Sequence, residues 1–209
     1  MAERLHRPAA PSGDALVLTH GAGSNADAPL LAALAGALAE HGLTVLRYEL
    51  PFRRARPTGP PRPADAAADR DGLREAVTAM RREATRRVFL GGHSYGGRQA
   101  SLLAAEAPGL ADALLLLSYP LHPPRRPGEP RTTHFPGLAT PALFVHGARD
   151  PFGSLDELEA ARRLIPARTA LHALEGAGHA LVRAGRPTAA AAAVAGIAAT
   201  FLEFTRGPG

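Results

Sequence analysis

The sequence predicts an α/β fold, a mostly parallel sheet of about six strands with helices on both faces. Three observations carry that expectation. Short apolar runs of strand length alternate with amphipathic stretches of helix length through the 209 residues, the pattern of strand–helix–strand units. Gly-bearing turns follow the apolar runs at Gly21, Gly91-Gly92 and Gly147. One run, residues 111–119, is nearly uniform in apolar side chains, and such a strand has to be covered on both faces. A chain of this length with 45% hydrophobic residues suits a single domain over residues 1–209, and neither an internal repeat nor a second domain boundary interrupts it.

Taken in order, residues 1–13, with Pro8 and Pro11, read as a flexible polar arm. Residues 14–20 (DALVLTH) form the first strand and run into Gly21-Ala22-Gly23-Ser24-Asn25. Asp27 is placed to cap a helix with Pro29 in its first turn, stopped at Gly42. Residues 43–50 are the next strand. Residues 51–63 carry five Pro and four Arg, a composition that predicts irregular chain. Residues 69–84 return to a helical pattern, acidic early and basic late, as the helix dipole favours. Val88, Phe89 and Leu90 open a buried strand that leads through residues 91–97 into a helix closed by Pro108-Gly109. After residues 111–119, the segment 120–140 holds six Pro and no regular period. Residues 141–147 are a buried strand, 154–165 a helix that opens with the capping-box pattern SLDE, 168–174 a weaker last strand, and 187–204 a closing helix.

Composition excludes several classes. Without Cys there is no disulfide framework, thiolate metal site or cysteine nucleophile, which agrees with a cytoplasmic protein. The first residues lack the apolar centre of a signal peptide, and the alanine-rich run 189–199 is short and weakly apolar for a bilayer span, so no membrane partner is expected. All 24 basic residues are Arg, yet the formal charge is only +5, and no basic helix interleaved with aromatic residues marks a nucleic-acid partner. The nine His residues show no H-x-x-x-H spacing, so no metal is assigned.

Ligands in a parallel sheet bind beyond the carboxyl ends of the strands, and three reactive side chains stand there. Gly92-x-Ser94-x-Gly96 lies between a strand and a helix and fits a nucleophile elbow. Asp150 follows the strand 141–147, and His179 follows the strand 168–174. A serine hydroxyl becomes nucleophilic when a neutral imidazole takes its proton, and a carboxylate fixes that imidazole's tautomer. The order Ser94, Asp150, His179 therefore reads as a catalytic triad. The backbone N–H groups of Ala22 and Tyr95 are candidates for an oxyanion hole. His122 and His134, in the Pro-rich segment, are candidate substrate contacts. Arg53, Arg54, Arg56, Arg62, Arg125, Arg126 and Arg131 lie in the two loops expected on the active face; they either favour an anionic substrate or simply solubilise the chain.

The motifs HGAGSN, GGHSYGGRQAS, LFVHGARDPFG and GAGHAL, spread over nearly the whole chain, resemble small bacterial α/β-hydrolases related to dienelactone hydrolase. The group it resembles includes testis-expressed hydrolase-like proteins and the hydrolase-like domain of a chromatin acetyltransferase complex subunit. That resemblance implies a compact α/β-hydrolase fold, a serine hydrolase acting on a small-molecule ester or related acyl compound, and no cofactor. The alternative it admits, a catalytically weak or inactive scaffold for protein interaction, is opposed by the triad itself, in which no member is replaced. With only about 13 residues before the first strand, the opening antiparallel strands of larger relatives are expected to be missing, and with residues 120–140 in place of the helical insertion no large lid is expected over an open, shallow site.

Overall fold

The computed structural model describes residues 4–182, 185 and 187–207. Seven strands form one sheet: β1 (Leu5–His6), β2 (Ala15–Thr19), β3 (Thr44–Tyr48), β4 (Val88–His93), β5 (Leu114–Leu117), β6 (Ala142–Gly147) and β7 (Thr169–Leu174). Their order is β1-β3-β2-β4-β5-β6-β7, parallel throughout except where β1 runs antiparallel to β3. The helices are α1 (Pro29–Glu40), α2 (Pro51–Ala55), α3 (Asp65–Glu83), α4 (Tyr95–Glu106), α5 (Leu155–Arg162) and α6 (Pro187–Arg206).

Strand periodicity divides the core in two. Val17, Leu90, Leu114 and Leu116 face α3, α4 and α5, while Leu16, Leu18, Leu115 and Leu117 face α1 and α6. The uniform apolar run thus belongs to a strand covered on both sides, with all four residues of β5 fully buried. Helix α6 is long and apolar enough to cross a membrane by length and composition, more so than the run 189–199 alone. Its Ile197 and Phe201 are nevertheless fully buried against the sheet, Phe201 edge-on to Phe89 at 5.4 Å.

Three local expectations change. The arm is tied down where it is described: Leu5 and His6 pair with Leu46 and Val45, His6 Nε2 accepts from Arg47 Nε at 2.9 Å, and Ser12 N–H donates to Gly42. Residues 1–3 of that arm lie outside the described residues. Asp27 does not cap α1. The N-cap is Ala28 with no side-chain bond, and the Asp27 carboxylate accepts instead from Arg4 and Arg47. Within 51–63, proline at the first position starts the short helix α2 rather than preventing it, because a helix leaves that N–H unused. The capping box at Ser154 and Glu157 forms as its sequence suggests.

Candidate active site

Strand β4 ends at His93 and α4 begins at Tyr95, leaving Ser94 alone between them with φ 52° and ψ −116°. A residue with a side chain adopts that conformation only when its surroundings impose it. Here they do. Ser94 N–H donates to the Leu117 carbonyl at 2.8 Å, and its own carbonyl accepts from Arg98 N–H at 2.9 Å. A Cβ on Gly92 would stand 2.7 Å from the Gly96 carbonyl carbon, and one on Gly96 2.5 Å from the His20 carbonyl oxygen. The turn closes only with glycine at both.

Ser94, Asp150 and His179 come together from the ends of β4, β6 and β7. The Ser94 Oγ to His179 Nε2 distance is 2.8 Å, and His179 Nδ1 stands 2.8 and 3.0 Å from the two carboxylate oxygens of Asp150. Because a carboxylate only accepts, Nδ1 carries the hydrogen, and Nε2 is left to accept from the serine hydroxyl. Burial by itself would raise the Asp150 pKa, but the hydrogen bonds from His179 and from Phe152 N–H outweigh it and hold the carboxyl below its ordinary range.

Further residues brace this chain. His93 Nε2 donates to the His179 backbone carbonyl at 2.8 Å, and burial lowers the His93 pKa to about 4, so the ring is neutral near pH 7. Phe152 lies over the His179 ring with centroids 4.3 Å apart. His146, fully buried, donates from Nε2 to the Gly153 carbonyl at 2.8 Å and so spans the loop that carries Asp150. Nothing in the spacing of His93 or His146 along the sequence marks these bonds.

Ala22 and Tyr95 line the same cavity as Ser94, about 550 Å³ in volume. Among the described residues, neither backbone N–H donates to a carbonyl, which leaves both available. The Ala22 loop is clamped from behind by the buried Arg53, whose guanidinium donates to the carbonyls of Ala22 (2.7 Å), Ser24 (2.9 Å), Gly59 (3.0 Å) and Arg56 (3.2 Å). Tyr95 is held by its phenol, which donates to Asp69 at 2.7 Å, while Phe52 N–H donates to the other oxygen of that carboxylate at 2.9 Å. Burial pushes the Asp69 pKa up, although both bonds oppose the shift.

His122 and His134 do not line this cavity. The His122 ring is turned onto its own loop, with Nδ1 bonded to the Pro123 carbonyl at 2.7 Å. His134 Nε2 lies 2.9 Å from Ser101 Oγ on α4, one element behind the cavity wall. Of the seven loop arginines, only Arg62 and Arg131 line the cavity; Arg53 serves the backbone, Arg56 pairs with Asp65 and Arg126 with Glu129. Arg98, from α4, joins them, although sequence reasoning did not single it out. Among the described residues no group of three or more His, Asp or Glu is placed to hold a metal ion.

Solved structures share this architecture. The chain superposes on the Thermus thermophilus protein TT1662 with a TM-score of 0.73 and 25% identity, covering 98% of this chain and 93% of that one. Dienelactone hydrolase from Anabaena variabilis gives 0.72 and 21%, covering 97% and 89%. A Xanthomonas campestris serine hydrolase described as lacking a lid gives 0.66 and 15%, covering 97% and 86%. Likeness at the last two identities speaks for the fold. The family profile described as alpha/beta hydrolase domain matches residues 12–205, nearly the full chain that carries the elbow, the acid loop and the histidine loop, and this protein belongs to that family.

Proposed function

We propose that this protein is a serine hydrolase that cleaves a small carboxylic ester or related acyl compound through an acyl-enzyme. The continuous hydrogen-bonded chain from Ser94 through His179 to Asp150 carries the reading. Ser94 Oγ attacks the carbonyl carbon as its proton passes to His179 Nε2, and Asp150 offsets the charge gained by the imidazole. The N–H groups of Ala22 and Tyr95 receive the oxyanion. His179 then protonates the leaving oxygen as the carbon–oxygen bond breaks, and water repeats the sequence to release the acid. A thioesterase or acyltransferase would use the same residues with a different leaving group or acceptor. Within the family, the motifs HGAGSN and GGHSYGGRQAS support a place beside the testis-expressed hydrolase-like proteins.

A fluorophosphonate probe tests the constellation without a known substrate, because it traps a serine only when a base activates it and donors accept the phosphonyl oxygen. One adduct is expected, on Ser94, absent in His179→Ala and slowed by at least about a hundredfold in Asp150→Asn, whose amide favours the wrong imidazole tautomer. If the folded protein takes no adduct, the scaffold reading replaces this one. If Asp150→Asn labels at the native rate, Asp150 is not the orienting carboxylate.

A further inference from the structure

We propose that the cavity at Ser94 receives a substrate with a carboxylate close to its scissile carbonyl, held by Arg98 and Arg131. The hydrolytic step rests on the function proposed above; the anion-binding site does not. Both arginines line the cavity together with Ser94 and Tyr95. Neither forms an ion pair among the described residues, in contrast to neighbouring Arg56, Arg70 and Arg126, which bond Asp65, Glu106 and Glu129.

The acids nearby are already engaged. Asp65 accepts from Arg62 N–H as well as from Arg56, Asp69 takes the Tyr95 phenol and Phe52 N–H, and Glu129 pairs with Arg126 at 3.2 Å. Positive charge therefore accumulates without a counter-charge. Burial, followed by the charge of Arg98, lowers the pKa of Arg131, and burial and the same charge press His134 to about 4.

Donors are also in surplus in the wall itself. Gln99, fully buried and lining the cavity, uses its Oε1 to accept from Arg70 at 3.1 Å, while its Nε2 has no hydrogen-bond partner. Arg98 Nε is buried and unpartnered too. Leaving such groups unsatisfied costs free energy that an anionic oxygen pair offsets, and a guanidinium fork matches a carboxylate in shape.

Distance narrows the substrate further. Arg98 follows Ser94 by four residues, so its backbone lies ~6 Å along α4 from the serine. A carboxylate gripped there is joined to the reacting carbonyl by only a few bonds, as in a half-ester of a short dicarboxylic acid. Ser94 Oγ bonds the ester carbonyl, the alcohol leaves with the proton carried by His179, and water releases the free dicarboxylate.

The test compares kcat/KM for 4-nitrophenyl hemiglutarate with that for its methyl-capped, uncharged counterpart. The native protein is expected to favour the charged ester by about tenfold or more, the worth of one charge-assisted hydrogen bond or more. The ratio falls towards one in Arg98→Gln and in Arg131→Gln, and is kept in Arg126→Gln, whose arginine is exposed outside the cavity. Calorimetry on Ser94→Ala gives a readout free of catalysis: monomethyl glutarate binds, and adding Arg131→Gln abolishes binding. Equal turnover of the two esters, with no binding by Ser94→Ala, overturns the anion site and leaves the hydrolase reading standing. Binding by Ser94→Ala that depends on Arg131, in a native protein that hydrolyses neither ester, upholds the site and overturns the hydrolase reading.

Discussion

Ser94 sits in a backbone conformation that its Cβ opposes and that hydrogen bonds from both neighbouring elements enforce. Alanine and glycine at this position both remove the hydroxyl, so their difference isolates the backbone. Ser94→Gly is expected to resist chemical denaturation better than Ser94→Ala by about 1 kcal/mol, because glycine adopts a positive φ without steric cost. Equal stability would mean that the turn holds no strain. The three side chains that meet at the site were legible in the sequence because each is of a type that the proposed chemistry requires and each follows a strand. Side-chain direction was not legible. His122 and His134 occupy the right loop and point into other contacts, while Arg98, one of 24 arginines, gave no sign that it would lack an ion pair among the described residues.

At the level of elements, the loop after β2 depends on α2, because Arg53 is the point through which the two are joined. Removing that guanidinium in Arg53→Met leaves four carbonyls short of a donor and loosens the Ala22 N–H. A drop in kcat of about tenfold or more is expected, with KM changed by less than about threefold, since the lost contact matters most when the oxyanion forms. Arg53→Lys is expected to restore only part of the rate, one ammonium being unable to reach carbonyls on both loops. A native kcat in Arg53→Met would show that the loop holds its shape unaided. Proline counting hid this clamp: residues 51–63 look irregular by composition, yet Pro51 opens a helical turn that aims Arg53 inward. The two-residue strand β1 was hidden for a different reason, being too short to show a period and formed by pairing with β3.

For the molecule as a whole, acid sensitivity follows from how its histidines are stored. Burial, chiefly, lowers the pKa values of His6, His20, His93, His134 and His172, to about 4 for His93 and His134. Between pH 6.5 and about 4 the unfolded chain therefore binds more protons than the folded one, and stability must fall as pH falls through that window. Asp69, raised by burial, works in the opposite sense but is one group against five. Thermal melts are expected to show Tm lower by roughly 5 °C or more at pH 5 than at pH 7.5, and flatter curves in His93→Gln and His134→Gln. A Tm that does not change with pH would contradict the neutral burial of these rings. The parallel sheet itself was readable from the alternation of runs, because a strand buried on both faces has almost no freedom in composition. Among the described residues, no large insertion covers the Ser94 cavity, and that has a kinetic meaning. If Ser94 turns over substrate as proposed, no inserted lid has to open first, so the ordering of the site would be completed when the chain folds instead of being repeated in every turnover.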